Sequence, residues 1–453
     1  MSLPKTQFIL FLSICAISFC APAENSRPMP ALIHQKVQTE YASLFELYKH
    51  LHSHPELSLH EENTSQRVAA ELRNIGGIEV TEKIGGFGVV GVLKNGKGPT
   101  ILVRCDLDAL PVKEQTGLSY ASAVLTQDDS GKEVSVMHAC GHDVHMASFI
   151  GTARILSALK DKWSGTIVFI AQPAEERVGG AKLMLNDGLF EKFPRPDFCL
   201  ALHDAADLPT GTIGYVPGYA LANVDSVDIT IHGVGGHGAY PHTTKDPIVL
   251  ASQIVLALQT IVSREVQPGE PAVVTVGSIH GGTKHNIIPA EVKLQLTLRS
   301  YSDEVRQQTI QAVRRIVRGQ ALSAGIPEDR LPEMKFSEDY TPSTYNDPVL
   351  IERLAKAWEN YFAATNVIKC KPVMGGEDFS QYGRTKEKIP ICIFWVGAVK
   401  PELIEANKKS GKPLPSLHSP FWAPVPEPTI KTAITAMCAA VLELAGKKQS
   451  PQL

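Results

Sequence analysis

Three apolar runs rich in β-branched residues constrain the fold most: Gly88 to Leu93, Thr100 to Cys105 and Thr166 to Ala171. Helical patterns separate such runs. Residues 31–75 carry Leu44, Leu47 and Leu51 on one stripe until His54-Pro55 breaks it, and Met146 to Leu159 forms another helix. Alternating strands and helices bury best as an α/β sheet covered by helices on both faces. In such sheets the reactive side chains collect where strands end and loops begin.

The rhythm changes between residues 219 and 334. Ser226 to His232 alternates as a half-buried strand, Pro247 to Val266 reads as a long amphipathic helix, and Ala272 to Ile279 and Glu291 to Arg299 read as strands. Asp303 to Ala324 is a second helix, giving the order of a small ferredoxin-like sandwich. Near Pro342 the first style returns, with helix Asp347 to Asn360 and strand Pro390 to Val396. The expectation is a discontinuous main domain, 24–218 and 335–453, interrupted by an inserted α+β domain at 219–334. A chain of 453 residues is long enough for that division.

Charge excludes some roles. Lys and Arg total 44 against 47 Asp and Glu, a net charge of −3, with no basic run to attract nucleic acid or an anionic membrane. Residues 1–23 have the layout of a cleavable secretory signal: Lys5, the apolar run Phe8 to Phe19, then Ala21-Pro22-Ala23. That layout implies export, to a periplasm or outside the cell. A lipid anchor on Cys20 is the lesser alternative, since bulky Phe19 precedes it. No second apolar stretch long enough to span a bilayer is expected. Six cysteines follow the leader, an even number that permits disulfides in an exported chain. Cys199 and Cys392 lie in apolar strings where buried free thiols are the commoner outcome.

The densest chemical signal is HACGHDVH at 138–145, which packs His138, Cys140, His142, Asp143 and His145 together. Thiolate and imidazole suit a metal such as zinc; the bland alternative is a helix start capped by Asp143 with surface histidines. QPAEE at 172–176 follows the strand ending at Ala171 and sets Glu175 beside Glu176. Adjacent carboxylates raise each other's pKa unless a cation intervenes. One can then ligate while the other takes a proton from an activated water; the alternative is a solvated acidic pair. RCDLDALP at 104–111 ends a strand with Asp106 and Asp108, LALHDAADLPTG at 200–211 supplies His203, and LPSLHSP at 414–420 supplies His418. Each histidine alone is more often structural than ligating. Several at successive strand ends converge on one crevice.

Taken in order, HSHPELS, RCDLDALP, HACGHDVH, QPAEE, GGHGAYPH, DPI, HNIIP and GGEDFS resemble the metallo-aminoacylase and carboxypeptidase superfamily. The resemblance spans about His52 to Pro420 and favours the branch of hippurate hydrolases, N-acyl-amino-acid amidohydrolases and plant indole-acetyl-amino-acid hydrolases. It implies a zinc-peptidase-like mixed sheet, with the insertion acting as lid and dimerisation domain of a homodimer. Two divalent ions per subunit, zinc first and manganese, cobalt or nickel as alternatives, would be held by Cys140, His142, Glu176, His203 and His418. Glu175 resembles the general base and Asp108 a carboxylate orienting a ligand. His237 resembles a histidine that reaches into the partner's site to polarise the scissile carbonyl or hold the tetrahedral oxyanion. Asn286 and Arg299 resemble groups for the substrate carboxylate, and Gly375 and Gly376 would let the backbone approach closely. Three stretches depart from the branch: VHMA after HACGHD, LHDAAD around His203, and LTLRS before the second inserted helix. The implied reaction is hydrolysis of an N-acyl amino acid. A dipeptidase or carboxypeptidase using the same site is the first alternative, and a non-catalytic exported binder the second.

Overall fold

A computed structural model describes residues 28–447 except 178 and 338; the expected leader lies outside the described residues. Helix α1, Met29–Ser53, buries Leu44, Leu47, Tyr48 and Leu51, and α2, Glu62–Arg73, follows the break at His54-Pro55. Strands β1, Ile78–Ile84, β2, Gly88–Asn95, and β3, Thr100–Asp106, come next. Then α3, His142–Ala158, leads to β4, Gly165–Gln172, β5, Phe198–Pro209, and β6, Ile213–Tyr215. Apolar runs make β3 and β4 central: β3 pairs in parallel with both β4 and β5, so both of its edges are hydrogen-bonded.

The inserted segment builds a separate sheet. It comprises β7, Asn223–His232, β8, Ala272–Gly281, β9, Glu291–Ser300, and β10, Glu333–Phe336, with α4, Pro247–Leu258, and α5, Asp303–Ser323. The order is β8-β9-β7-β10 with every neighbour antiparallel, the arrangement of a βαββαβ sandwich. Strict alternation in β7, with Val227, Ile229 and Ile231 buried, aims one face at the two helices. Strand β10 runs across the expected boundary after residue 334. Its pairing with β7 is a long-range contact that its short, mixed sequence does not announce.

The chain then returns. Helix α6, Pro348–Trp358, and strand β11, Val367–Lys369, precede β12, Ile391–Val399, and α7, Pro426–Ala445. The completed eight-stranded sheet has the order β1-β2-β4-β3-β5-β12-β6-β11 and mixes parallel and antiparallel pairs. Strand β12 thus enters between β5 and β6. Helices α1, α3 and α7 pack together on one face of this sheet, around Leu44, Phe149, Ile150, Ile434 and Met437.

Two helical segments, 247–265 and 426–445, are apolar and long enough to cross a bilayer by length and composition. The expectation of none beyond the leader is corrected on that count. The second is mostly buried as a core helix. The first buries one stripe and exposes Ile248, Val249, Leu256 and Val262. All six described cysteines are free thiols, and five are buried.

Candidate metal centre

Three strands, the start of one helix and one loop bring the chemical residues together. Asp106 closes β3 and Asp108 follows it; Glu175 and Glu176 follow β4; His203 lies on β5; Cys140 and His142 open α3. His418 lies in the loop before α7, where its backbone N–H donates to the Ala139 carbonyl at 2.7 Å, next to Cys140. Two non-glycine residues take left-handed backbone here, Ala174 at φ 51° and His418 at φ 66°. Such strain persists only where surroundings fix it. The Ala174 N–H is held by the Glu61 carboxylate at 2.7 Å, which turns the next two glutamates inward.

Six groups of donors among the described residues lie close enough to share an ion, each with ligand atoms within 4.8 Å of one another. Asp106, His142 and His145, and then His145, His203 and Asp204, form two of these behind the others. Three face the cavity: Cys140, His142 and His203; Cys140, Glu176 and His418; and His142, Glu175 and Glu176. Cys140 belongs to the first two, so its sulfur stands between two candidate positions. The Cys140 Sγ is 3.5 Å from His203 Nε2, and His418 Nε2 is 3.4 Å from Glu176 Oε1. Ring orientation is fixed from behind. His142 Nδ1 meets the Asp108 carbonyl at 2.8 Å and His203 Nδ1 meets the Asp204 carbonyl at 2.7 Å. Donating there leaves each Nε2 with a lone pair facing the cluster.

Buried groups without partners test whether a cation fits. His142 Nε2, Glu176 Oε1 and Asp108 Oδ1 are all buried and unbonded to protein. Leaving three such atoms unsatisfied costs on the order of 1–3 kcal/mol each. Divalent ions would satisfy the first two and offset the crowding of thiol and carboxylates. Burial pushes the Glu175 carboxyl well above its usual range, and the nearby Glu377, Glu176 and Asp378 carboxylates push the same way. Burial and Glu176 also push the Cys140 thiol up. Asp108 is held low despite its burial, because His142, the Ser58 hydroxyl and the Glu176 N–H all stabilise its charge. The donor set therefore fits a cation centre: an acid that stays charged behind the site, and a thiol and a glutamate that need positive charge in front.

A cavity of 420 Å³ opens on the cluster. Cys140, Glu175, Glu176, His203 and His418 line it together with Arg299, Gly375 and Gly376 and the apolar Leu221, Val224, Val373, Trp395 and Leu417. Arg299 Nη1 donates to the Met374 carbonyl at 2.8 Å, which holds the guanidinium beside the glycines. A Cβ at Gly376 would fall 2.6 Å from the Val224 side chain, so only glycine fits there without displacement. His237 and Asn286 are not among these lining residues. They sit on the exposed ribbon where His237 pairs with Ile287. Sequence reasoning gave no role to the apolar walls, Trp395 and Leu417 among them, because such residues carry no chemical signature.

The sequence pattern of Peptidase family M20/M25/M40 matches residues 102–410, about two thirds of the chain and most of this cluster. The chain belongs to that family. Among M20 relatives, thermostable carboxypeptidase 1 of Saccharolobus solfataricus is 36% identical over 408 residues, covering 89% of this chain and 96% of its own. Hippurate hydrolase of Campylobacter jejuni is 37% identical over 350 residues, 76% of this chain and 86% of its own. The fold matches a dinuclear metal-binding M20 peptidase of Bacillus subtilis with a TM-score of 0.71 and 31% identity, over 90% and 99% of the two chains. This M20 chain is a metal-dependent amide hydrolase.

Proposed function

We propose that the chain releases free amino acids from N-acyl amino acids, using Cys140, His142, Glu176, His203 and His418 to hold two divalent ions, zinc in the first instance. The observation that carries this reading is Cys140, which is shared by two donor groups that together hold all five proposed ligands; Glu175, a buried carboxylate grouped with His142 and Glu176, is needed by neither. A structural metal site closes its coordination with protein and has no use for such a spare base. When bound, the ions would polarise the scissile carbonyl and lower the pKa of the attacking water. Glu175 accepts that water's proton and returns it to the departing nitrogen. Asp108 keeps His142 oriented. Arg299, the only guanidinium or ammonium among the described residues lining the cavity, takes the substrate carboxylate, and the backbone at Gly375 and Gly376 lets the substrate lie close.

His237 and Asn286 complete the site from a second copy of the chain. Their exposed ribbon, the apolar outer face of α4 and the edge strand β8 lie on the inserted unit, which supports a homodimer formed through it. The leader layout supports export. Relatives named carboxypeptidase, at 36% identity, favour one second reading: a peptidase acting through the same centre.

Amino-acid release from a panel of N-acyl amino acids and dipeptides, after chelation and after restoring zinc, manganese, cobalt or nickel, separates these readings. Metal-dependent release from N-acyl amino acids is expected. Release from dipeptides alone moves the function to the peptidase, and no release from any substrate returns it to a binding protein.

A further inference from the structure

Behind His142 and His203, two of the three proposed ligand histidines, runs a line of buried side chains that no step of the proposed reaction uses. Arg104 Nη1 contacts Asp106 Oδ2 at 2.7 Å, Asp106 Oδ1 meets His145 Nδ1 at 2.7 Å, and His145 Nε2 lies 3.1 Å from Asp204 Oδ1. The same Asp204 oxygen is 3.2 Å from His203 Nδ1. All four of these side chains are at most 2% exposed. The His145 ring stands between the two ligands, its centroid 4.6 Å from that of His203 and 5.3 Å from that of His142.

Asp204 is costly where it stands. Its Oδ2 is buried without a partner. It fits only because residue 141 is a glycine with φ 77°: a Cβ there would fall 2.4 Å from the carboxylate. An apolar residue would suit such a place better unless the negative charge itself is used. The adjacent use is the imidazole of His203: the Asp204 carbonyl already takes its Nδ1–H, and a carboxylate 3.2 Å from the same nitrogen raises the basicity of the ligating ring. The LHDAAD stretch that departs from the branch pattern contains this residue.

We propose that Asp204, anchored by His145, is a positioning residue that strengthens the hold of His203 on its cation. This rests on the two-ion reading above. His145 ties the support of the two ligands together, because it bonds Asp204 behind His203 on one side and Asp106 on the other. Asp106 in turn lies 3.8 Å from His142 Nε2.

The test is chelator competition for zinc on the purified full chain, resolving both ions, together with melting of the metal-free protein. Asp204→Asn keeps the shape and removes the charge. It is expected to weaken one of the two ions by about 10–100-fold and to leave the metal-free melting temperature unchanged or higher. His145→Gln is expected to give a loss of the same kind, and the double variant should bind no more weakly than the worse single one. Parental affinity for both ions in Asp204→Asn and His145→Gln overturns the proposal. So does an equal loss at both ions with a lowered metal-free melting point, since that is the mark of a merely structural role. A parent chain that binds zinc at no site overturns the two-ion reading itself, and this inference with it.

Discussion

The two sheets treat polar side chains in opposite ways. Against the eight-stranded sheet, Arg104, Asp106, Asp108, His142, His145, Asp204, Glu377 and Asp378 are all at most 2% exposed. Arg104 alone reaches three carboxylates, Asp106, Glu377 and Asp378, at 2.7, 2.9 and 3.2 Å. In the four-stranded unit the core is aliphatic apart from the buried Asp225 paired with Arg306 at 2.6 Å; of its residues with proposed chemistry, Arg299 on β9 lines the cavity while His237 and Asn286 face outward. A buried network fixes its geometry before any substrate arrives. An exposed histidine on a ribbon cannot do that alone. It acts only when something brings it to the cavity. The contrast suggests that one unit holds the cations and base in place while the other delivers substrate-facing groups.

The largest effect that would sharpen this comparison lies in the buried half. Glu175→Gln is expected to retain both ions, by metal analysis, and to lower kcat by about 10²–10⁴-fold; turnover at the parental rate would remove Glu175 as the base. Next comes Arg299→Ala, expected to raise KM by about 10–100-fold with kcat little changed, the loss of one charge-assisted contact. A fall in kcat with unchanged KM would take the substrate carboxylate elsewhere.

Smaller in amplitude is a mixing experiment on the exposed half. Equal amounts of Glu175→Gln and His237→Ala, each nearly inactive alone, should recover about a quarter of parental activity after subunit exchange, since about half the dimers are mixed and half their sites are intact. No recovery, with exchange verified, would place His237 in its own subunit's site. The smallest effect concerns His52, buried between Asp143 at 2.6 Å and Glu114 at 3.0 Å. Burial disfavours its charge, but the hydrogen bonds it donates to both carboxylates outweigh this and lift it from 6.5 to about 10. The folded-state value is raised, so its stabilisation is whole below pH 6.5 and is lost as pH rises through 10. Metal-free melting temperature should decline across that window, and His52→Gln should flatten the decline.

How much of this was legible follows the same division. The ligand candidates stood at the ends of apolar runs, and alternation within Ser226 to His232 marked a half-buried strand. Both are local patterns. What sequence could not show was long-range: β10 pairing with β7, the position of β12 between β5 and β6, and α7 serving as its core helix. His145 and Asp106 were noticed as chemical residues but had no role, because a residue that acts by touching two others is defined only when all three are placed. Asp204 looked only like a departure from pattern. The steric reason it fits, Gly141, lies 63 positions earlier in sequence.

The position of β12 has a consequence for how the protein is made. Strand β5 has its partner on one side, β3, but its other edge waits for residues 391–399, and the four-stranded unit is synthesised in between. For nearly two hundred residues of synthesis, an apolar strand bearing His203 has an open edge. Such edges recruit other strands, and non-local pairings of this kind form slowly. His418 emerges later still, so the donor group of Cys140, Glu176 and His418 is completed last, although Cys140, His142 and His203 are all made before the inserted unit. Protection of that edge, by a chaperone or by prompt folding of the inserted unit, should therefore govern the yield of native protein more than any ligand does.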